Sequence, residues 1–125
     1  MGAFRMTKKE LLICDDNKRF CLGLKLILEE YYNVTTVNDG KQVFDVVSKI
    51  KIDLILLDYD LRTINGTNII KRIKNNFPSI KIIMVTGHED ADVMSMAFSL
   101  GADDYIIKPF KTKDLLEAIQ IHLIS

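Results

Sequence analysis

Asp53-Leu54-Ile55-Leu56-Leu57-Asp58 is the stretch whose reading decides the fold. Its four aliphatic residues are consecutive, so a strand built from them has no polar face and must be covered on both sides. Similar runs recur on either side of it. Leu11–Cys14 and the β-branched Val34–Val37 precede it, and Ile80–Val85 and Tyr105–Ile107 follow it. Helical spacing fills the intervals between them. Phe20, Leu24, Ile27, Leu28 and Tyr31 form the first stripe, and Val43, Val46, Val47 and Ile50 the second. Ile69, Ile70 and Ile73 form the third, and Val93, Met96, Ala97 and Leu100 the fourth. Leu115, Leu116, Ile119 and Leu123 complete the series.

The punctuation agrees with this alternation. Asp39-Gly40 opens the second helix, and Gly66 and Thr67 precede the third. Phe77-Pro78-Ser79 stops that helix, because proline cannot continue it. Asp90 begins the fourth helix, Gly101 sits where a left-handed C-cap is expected, and Thr112 is placed to cap the last. Five βα units predict an α/β fold, a doubly wound parallel sheet of five strands with right-handed crossovers. Residues 1–9 read as an N-terminal extension or cloning scar leading into the first strand, with Met6 as an alternative start, and residues 10–125 as one domain. No linker, internal repeat or low-complexity segment interrupts it.

At 125 residues, with 48% of them apolar, the chain has the size and composition of one domain with one core. Its 17 basic and 17 acidic residues cancel, so no global field draws it to nucleic acid or anionic lipid. No apolar run approaches the ~20 residues of a membrane span, and the N-terminus lacks a signal-peptide core. Cys14 and Cys21 are the only cysteines, lack CxxC spacing and read as buried structural thiols. Together these features predict a cytoplasmic protein.

The chemistry gathers at the strand ends. Asp15 and Asp16 follow the first strand, Asp58 the third, Thr86 the fourth and Lys108 the fifth. In an open parallel sheet these ends share one edge, where ligands bind. Three ionised carboxylates held together repel strongly, and a hard divalent cation with oxygen ligands, Mg²⁺ rather than zinc, would relieve that repulsion. With Lys108 the set carries about −2 at neutral pH, which one Mg²⁺ balances. A phosphoryl group would then find charge neutralisation and positioning in one place. Asp58, ending the central strand, is the candidate nucleophile for an acyl phosphate. Thr86 would donate to a phosphoryl oxygen, and Gly87 would leave room for the incoming group. A single aspartate after a strand is ordinarily a cap or turn residue. Complementary groups at four strand ends are hard to explain as caps.

These residues resemble the receiver domain of two-component response regulators, from about Leu11 to about Leu123. Asp15 and Asp16 match the family's acidic pair, and Asp58 its phosphoacceptor. Thr86 matches its Thr/Ser, Lys108-Pro109-Phe110 its Lys-Pro-Phe segment, Gly66 the glycine after the acceptor loop, and Tyr105 its aromatic switch. The resemblance implies a flavodoxin-like sheet ordered 2-1-3-4-5, the order for which a receiver is a standard example. It also implies Mg²⁺-dependent phosphoryl transfer from a kinase phosphohistidine. Asp16, Asp58 and the Asp60 backbone carbonyl would ligate the ion, with Asp15 acting largely through water. The implied partners are a sensor histidine kinase or phosphotransfer protein, without direct nucleic-acid or membrane contact by this domain. The family couples Thr86 and Tyr105 to the face of the fourth helix, fifth strand and fifth helix, where Met94 and Phe98 are candidate partner or homodimer residues.

Arg62 stands where the family often has proline, which predicts a looser loop after Asp58. Asp60 adds a carboxylate near the metal. His88, two residues past Thr86, lies near the same mouth and, with Gly87 and Arg62, is a candidate modulator. His122 has no histidine partner at ligand spacing and no expected metal role. Other classes fit less well. Asp58-Tyr59-Asp60 resembles the start of haloacid-dehalogenase-like phosphotransferases, but that motif belongs on a first strand. A nucleotide or flavin module would need a glycine-rich phosphate loop that is missing here. A degenerate receiver acting only in interactions would not need Asp58, Thr86 and Lys108 together. The expectation is a signalling domain, not an enzyme with turnover on an external substrate.

Overall fold

A computed structural model describes residues 7–124; residues 1–6, most of the expected N-terminal extension, lie outside the described part. The elements run β1 (Glu10–Cys14), α1 (Lys18–Leu28), β2 (Asn33–Val37), α2 (Gly40–Lys49), β3 (Leu54–Leu57), α3 (Gly66–Asn76), β4 (Lys81–Thr86), α4 (Ala91–Leu100), β5 (Asp104–Ile107) and α5 (Thr112–Ile124). All strand pairs are parallel, and the order is β2-β1-β3-β4-β5. This is the doubly wound, flavodoxin-like architecture expected. Among the described residues no helix is long and apolar enough to cross a membrane.

The run Leu54–Leu57 lies at the centre of the sheet. Leu56 pairs in register with Ile13 on one side and Ile83 on the other. Side chains alternate across a strand, so β3 feeds two cores. Leu54 and Leu56 pack with Leu24 and Leu28 of α1 and Leu115 and Ile119 of α5. Ile55 and Leu57 pack on the opposite face with α2, α3 and Ala97 of α4.

Short polar side chains start the helices. Asn17, Asp39, Asn65 and Asp90 each accept a hydrogen bond from a first-turn N–H. Two helical stripes differ from expectation. The first helix ends at Leu28, where the Leu28 carbonyl accepts from the N–H groups of both Tyr31 and Tyr32 at 3.0 Å. Tyr31 therefore lies beyond the helix and is exposed, as is Ile27. In α4, Met96 faces outward and is 54% exposed, because a helix with apolar residues on most sides gives periodicity no single face to select.

Gly101 ends α4 at φ 118°, a conformation strained for any residue with a Cβ. A Cβ there would also stand 2.8 Å from Lys74 Cγ. Lys74 is tied down by bonds to Asp103 Oδ2 at 2.8 Å and the Ile80 carbonyl at 2.7 Å. Gly101→Ala is expected to lower stability by about 1–2 kcal/mol, read from urea unfolding midpoints.

Candidate functional site

The C-terminal ends of β1, β3, β4 and β5 meet at one edge, as the strand-end pattern predicts. Carboxylate oxygens of Asp15, Asp16 and Asp58 all lie within 4.8 Å of one another. Asp15 and Asp58 are buried, whereas Asp16 is partly exposed. Lys108 Nζ donates to Asp15 Oδ2 at 2.6 Å and lies 4.0 Å from Asp58 Oδ2. Its ammonium also stands 4.1 Å from the centroid of the Phe20 ring. The Lys108–Pro109 peptide is cis, and Phe110 just beyond packs edge-to-face on Phe20.

Burial pushes the Asp58 carboxyl above its ordinary pKa, and the charge of Asp15 pushes the same way. The nearby Thr86 hydroxyl, Lys108 and the Asp60 N–H, 3.4 Å from Oδ1, oppose that rise. Thr86 is fully buried, and its hydroxyl stands near enough to Asp58 to favour the ionised carboxylate but makes no hydrogen bond of good geometry to any described residue. A Cβ built on Gly87 beside it meets nothing within 4 Å, so the space there is open. Gly66 is closely packed instead. A Cβ at that position would stand 3.1 Å from the Asp58 carbonyl oxygen, where α3 starts against the loop after β3.

Around the mouth, the acid, arginine and histidine singled out in the sequence find one another or the acidic pair. His88 Nε2 lies 2.7 Å from Asp60 Oδ2, and its ring packs edge-on to Tyr59 at 4.8 Å. Arg62 Nε sits 3.7 Å from Asp16 Oδ2 on a largely exposed side chain. Solvent screening leaves that contact little energetic weight. Tyr105 is buried, and its hydroxyl donates to the His88 carbonyl at 2.9 Å. In the loop that carries Arg62, the Thr63 hydroxyl donates to Asp39 and the Gly66 N–H to the Tyr59 carbonyl at 3.1 Å. His122 is remote from this edge and pairs with Asp104 at 3.0 Å.

Sequence reasoning missed several supporting residues. Asn38 donates from Nδ2 to the Asp15 carbonyl at 2.9 Å, and Cys21 Sγ approaches the same oxygen at 3.3 Å. Asn38 directly follows β2, so extending the strand-end pattern to the second strand would have pointed to it. Phe20 beneath Lys108 carried no signal beyond its place in an apolar stripe.

A cluster of hard oxygen donors beside one ammonium is the donor set that a Mg²⁺ ion takes. The fold and this site define a response regulator receiver domain, and the comparisons agree. The family described as "Response regulator receiver domain" matches residues 11–120, and the chain belongs to it. It is similar to the response regulator GtcR of Aneurinibacillus migulanus, 34% identical over 92% of this chain and 48% of that protein. It is also similar to Protein CcdB of Bacillus subtilis, 33% identical over 87% of this chain and 92% of that protein. A CheY-like receiver domain protein from Methanospirillum hungatei JF-1 superposes with a TM-score of 0.91 at 32% identity, covering 94% of this chain and 95% of that one. The chain spans about half the length of curated relatives such as GtcR and MtrA. Receiver domains are signalling domains of two-component systems and in general work with a histidine kinase and Mg²⁺.

Proposed function

We propose that this chain accepts one phosphoryl group on Asp58 from a phosphohistidine and relays that event through the face formed by α4, β5 and α5. The observation that carries the reading is Thr86. A buried hydroxyl without a well-formed hydrogen bond is costly, and an oxygen of a phosphoryl group on Asp58 would supply a well-placed acceptor.

In the transfer, an Asp58 carboxylate oxygen forms the new bond to phosphorus as the phosphorus–nitrogen bond of the donor breaks, and the imidazole leaves. Asp15, Asp16, Asp58 and the backbone carbonyl of Asp60 would hold Mg²⁺, Asp15 largely through water. When bound, the ion neutralises charge on the phosphoryl oxygens. Lys108 brings the one ammonium near both Asp58 and the incoming group. Tyr105 already lies inward and is held through His88, so the bond formed by Thr86 would favour a neighbourhood that is partly set. Phe98 is 44% exposed beside Tyr105, with Met94 half-buried next to it. They would contribute to a partner or homodimer surface. The Asp60–His88 pair, Gly87 and Arg62 line the mouth and would modulate the lifetime of the phosphoryl group. The donor would be a sensor histidine kinase or phosphotransfer protein in the cytoplasm, and the domain would not turn over an external substrate.

Incubation with Mg²⁺ and a small acyl phosphate should add one phosphoryl group per chain by intact mass, and excess EDTA should prevent it. No gain in mass with Mg²⁺ present would refute the proposal. Sustained release of phosphate from a phosphomonoester would favour the haloacid-dehalogenase-like alternative.

A further inference from the structure

Three consecutive residues, Asn38-Asp39-Gly40, supply no group to the phosphoryl site and yet touch two of the loops that build it. They form the turn between the edge strand β2 and helix α2. On one side, Asn38 Nδ2 donates to the Asp15 carbonyl at 2.9 Å, beside the 3.2 Å bond from the Asp15 N–H to the Val37 carbonyl. The backbone of Asp15 is thus gripped at both of its polar groups from the β2 side. On the other side, Asp39 accepts from the Thr63 hydroxyl while capping α2 through the Lys41 N–H at 2.9 Å. Gly40 lies directly under Ile64. A Cβ there would overlap the Ile64 side chain and stand 3.2 Å from its carbonyl oxygen. Thr63 and Ile64 belong to the loop that leaves Asp58 and carries Asp60.

We propose that the Asn38-Asp39-Gly40 turn is a brace that sets the spacing between the acidic pair and the phosphoacceptor loop, with Asn38 as a positioning residue for the metal acids. The inference rests on the phosphoacceptor function proposed above. Its physical basis is repulsion. Three carboxylates with oxygens within 4.8 Å of one another repel, and the single charge of Lys108 offsets only part of that, so fixed backbone has to hold the rest. Past the last ladder pair of β1 and β3, Cys14 and Leu57, the Asp58 N–H donates to the Cys14 carbonyl at 3.0 Å, so Asp15 itself and the residues after Asp58 are what the β2 side has to hold. Bonds that orient metal-binding groups from behind govern affinity, and their loss typically costs roughly 10- to 100-fold.

Isothermal titration of Mg²⁺ into the full chain tests the brace, with urea unfolding in EDTA run in parallel. Asn38→Ala should weaken Mg²⁺ binding by roughly tenfold. Asn38→Asp keeps the shape but replaces the donor with a carboxylate. Its added negative charge would tighten Mg²⁺ binding if only the local field mattered, whereas the brace requires weaker binding. Thr63→Val, which removes the hydroxyl on the other arm, should shift affinity in the same direction as Asn38→Ala. Asn33→Ala is the control on the same strand. It removes a bond to Glu10 far from the site and should leave Mg²⁺ affinity unchanged. Tighter binding by Asn38→Asp, or wild-type affinity in the Asn38→Ala and Thr63→Val proteins, overturns the brace. If the wild type binds Mg²⁺ and takes up phosphate and the variants match it, the brace alone is wrong. If the wild type does neither, the phosphoacceptor reading fails and the brace falls with it.

Discussion

Asp58→Asn is expected to take up no phosphoryl group under conditions that load the wild type, and to unfold at a higher urea concentration than the wild type at pH 7 in EDTA. The first effect follows from chemistry, because an amide oxygen is a poor nucleophile and its phosphorylated product has no stable acyl phosphate form. The second follows from electrostatics. Burial and Asp15 raise the folded-state pKa of Asp58 above its unfolded value. A group raised in this way contributes stability that is fully present below the unfolded pKa and lost as pH rises through the folded pKa. Near neutral pH the metal-free protein therefore carries an ionised Asp58 at a net cost, and the neutral, nearly isosteric asparagine removes that cost. The difference between the two proteins should shrink as pH falls toward the ordinary carboxylate range. Mass spectrometry and denaturation as a function of pH measure the two parts independently. Phosphoryl uptake by Asp58→Asn equal to wild type would place the acceptor elsewhere.

Lys108→Ala should be the most destabilising change at the site, costing about 3 kcal/mol near neutral pH. Asp15 is buried, and Lys108 supplies its closest charge partner at 2.6 Å. Removing one member of such a pair leaves an uncompensated carboxylate. The side chain of Lys108 is 25% exposed, so solvent reaching the site offsets part of the loss. The contact of the ammonium with the Phe20 ring is lost as well. Mg²⁺ should bind the variant more tightly, because the acids lose their competing cation, and should restore part of the stability. Phosphoryl uptake should nevertheless slow by roughly 100-fold, since the positive charge near the transferred group is gone. Urea unfolding with and without Mg²⁺, together with uptake rates, separates these effects. Unchanged stability in EDTA would mean that Asp15 does not depend on Lys108.

Legibility followed the range of the interactions. The run Leu54–Leu57 reads as a doubly covered strand because each residue reports its own burial, and all four are buried. Caps such as Asp39 and Asp90 read equally well, since they bond N–H groups two residues away. Helix faces were legible only where apolar and polar sides contrast. The spacing points Met96 inward because α4 is apolar on most sides, and Tyr31 continues a spacing that the chain abandons at Leu28.

The amino-acid order alone determined which residues end each strand, and strand direction then required Asp15, Asp16, Asp58, Thr86 and Lys108 to share one edge. Local alternation and short crossovers are enough for that outcome. Only the tertiary structure decided what those groups lean on. Asn38 meets Asp15 across 23 positions of chain, and Lys108 meets the same residue across 93. His88 meets Asp60, and Thr63 meets Asp39, through loops whose paths no local pattern records. Such contacts depend on how the ends of neighbouring βα units are packed against one another, and that packing is a property of the assembled sheet.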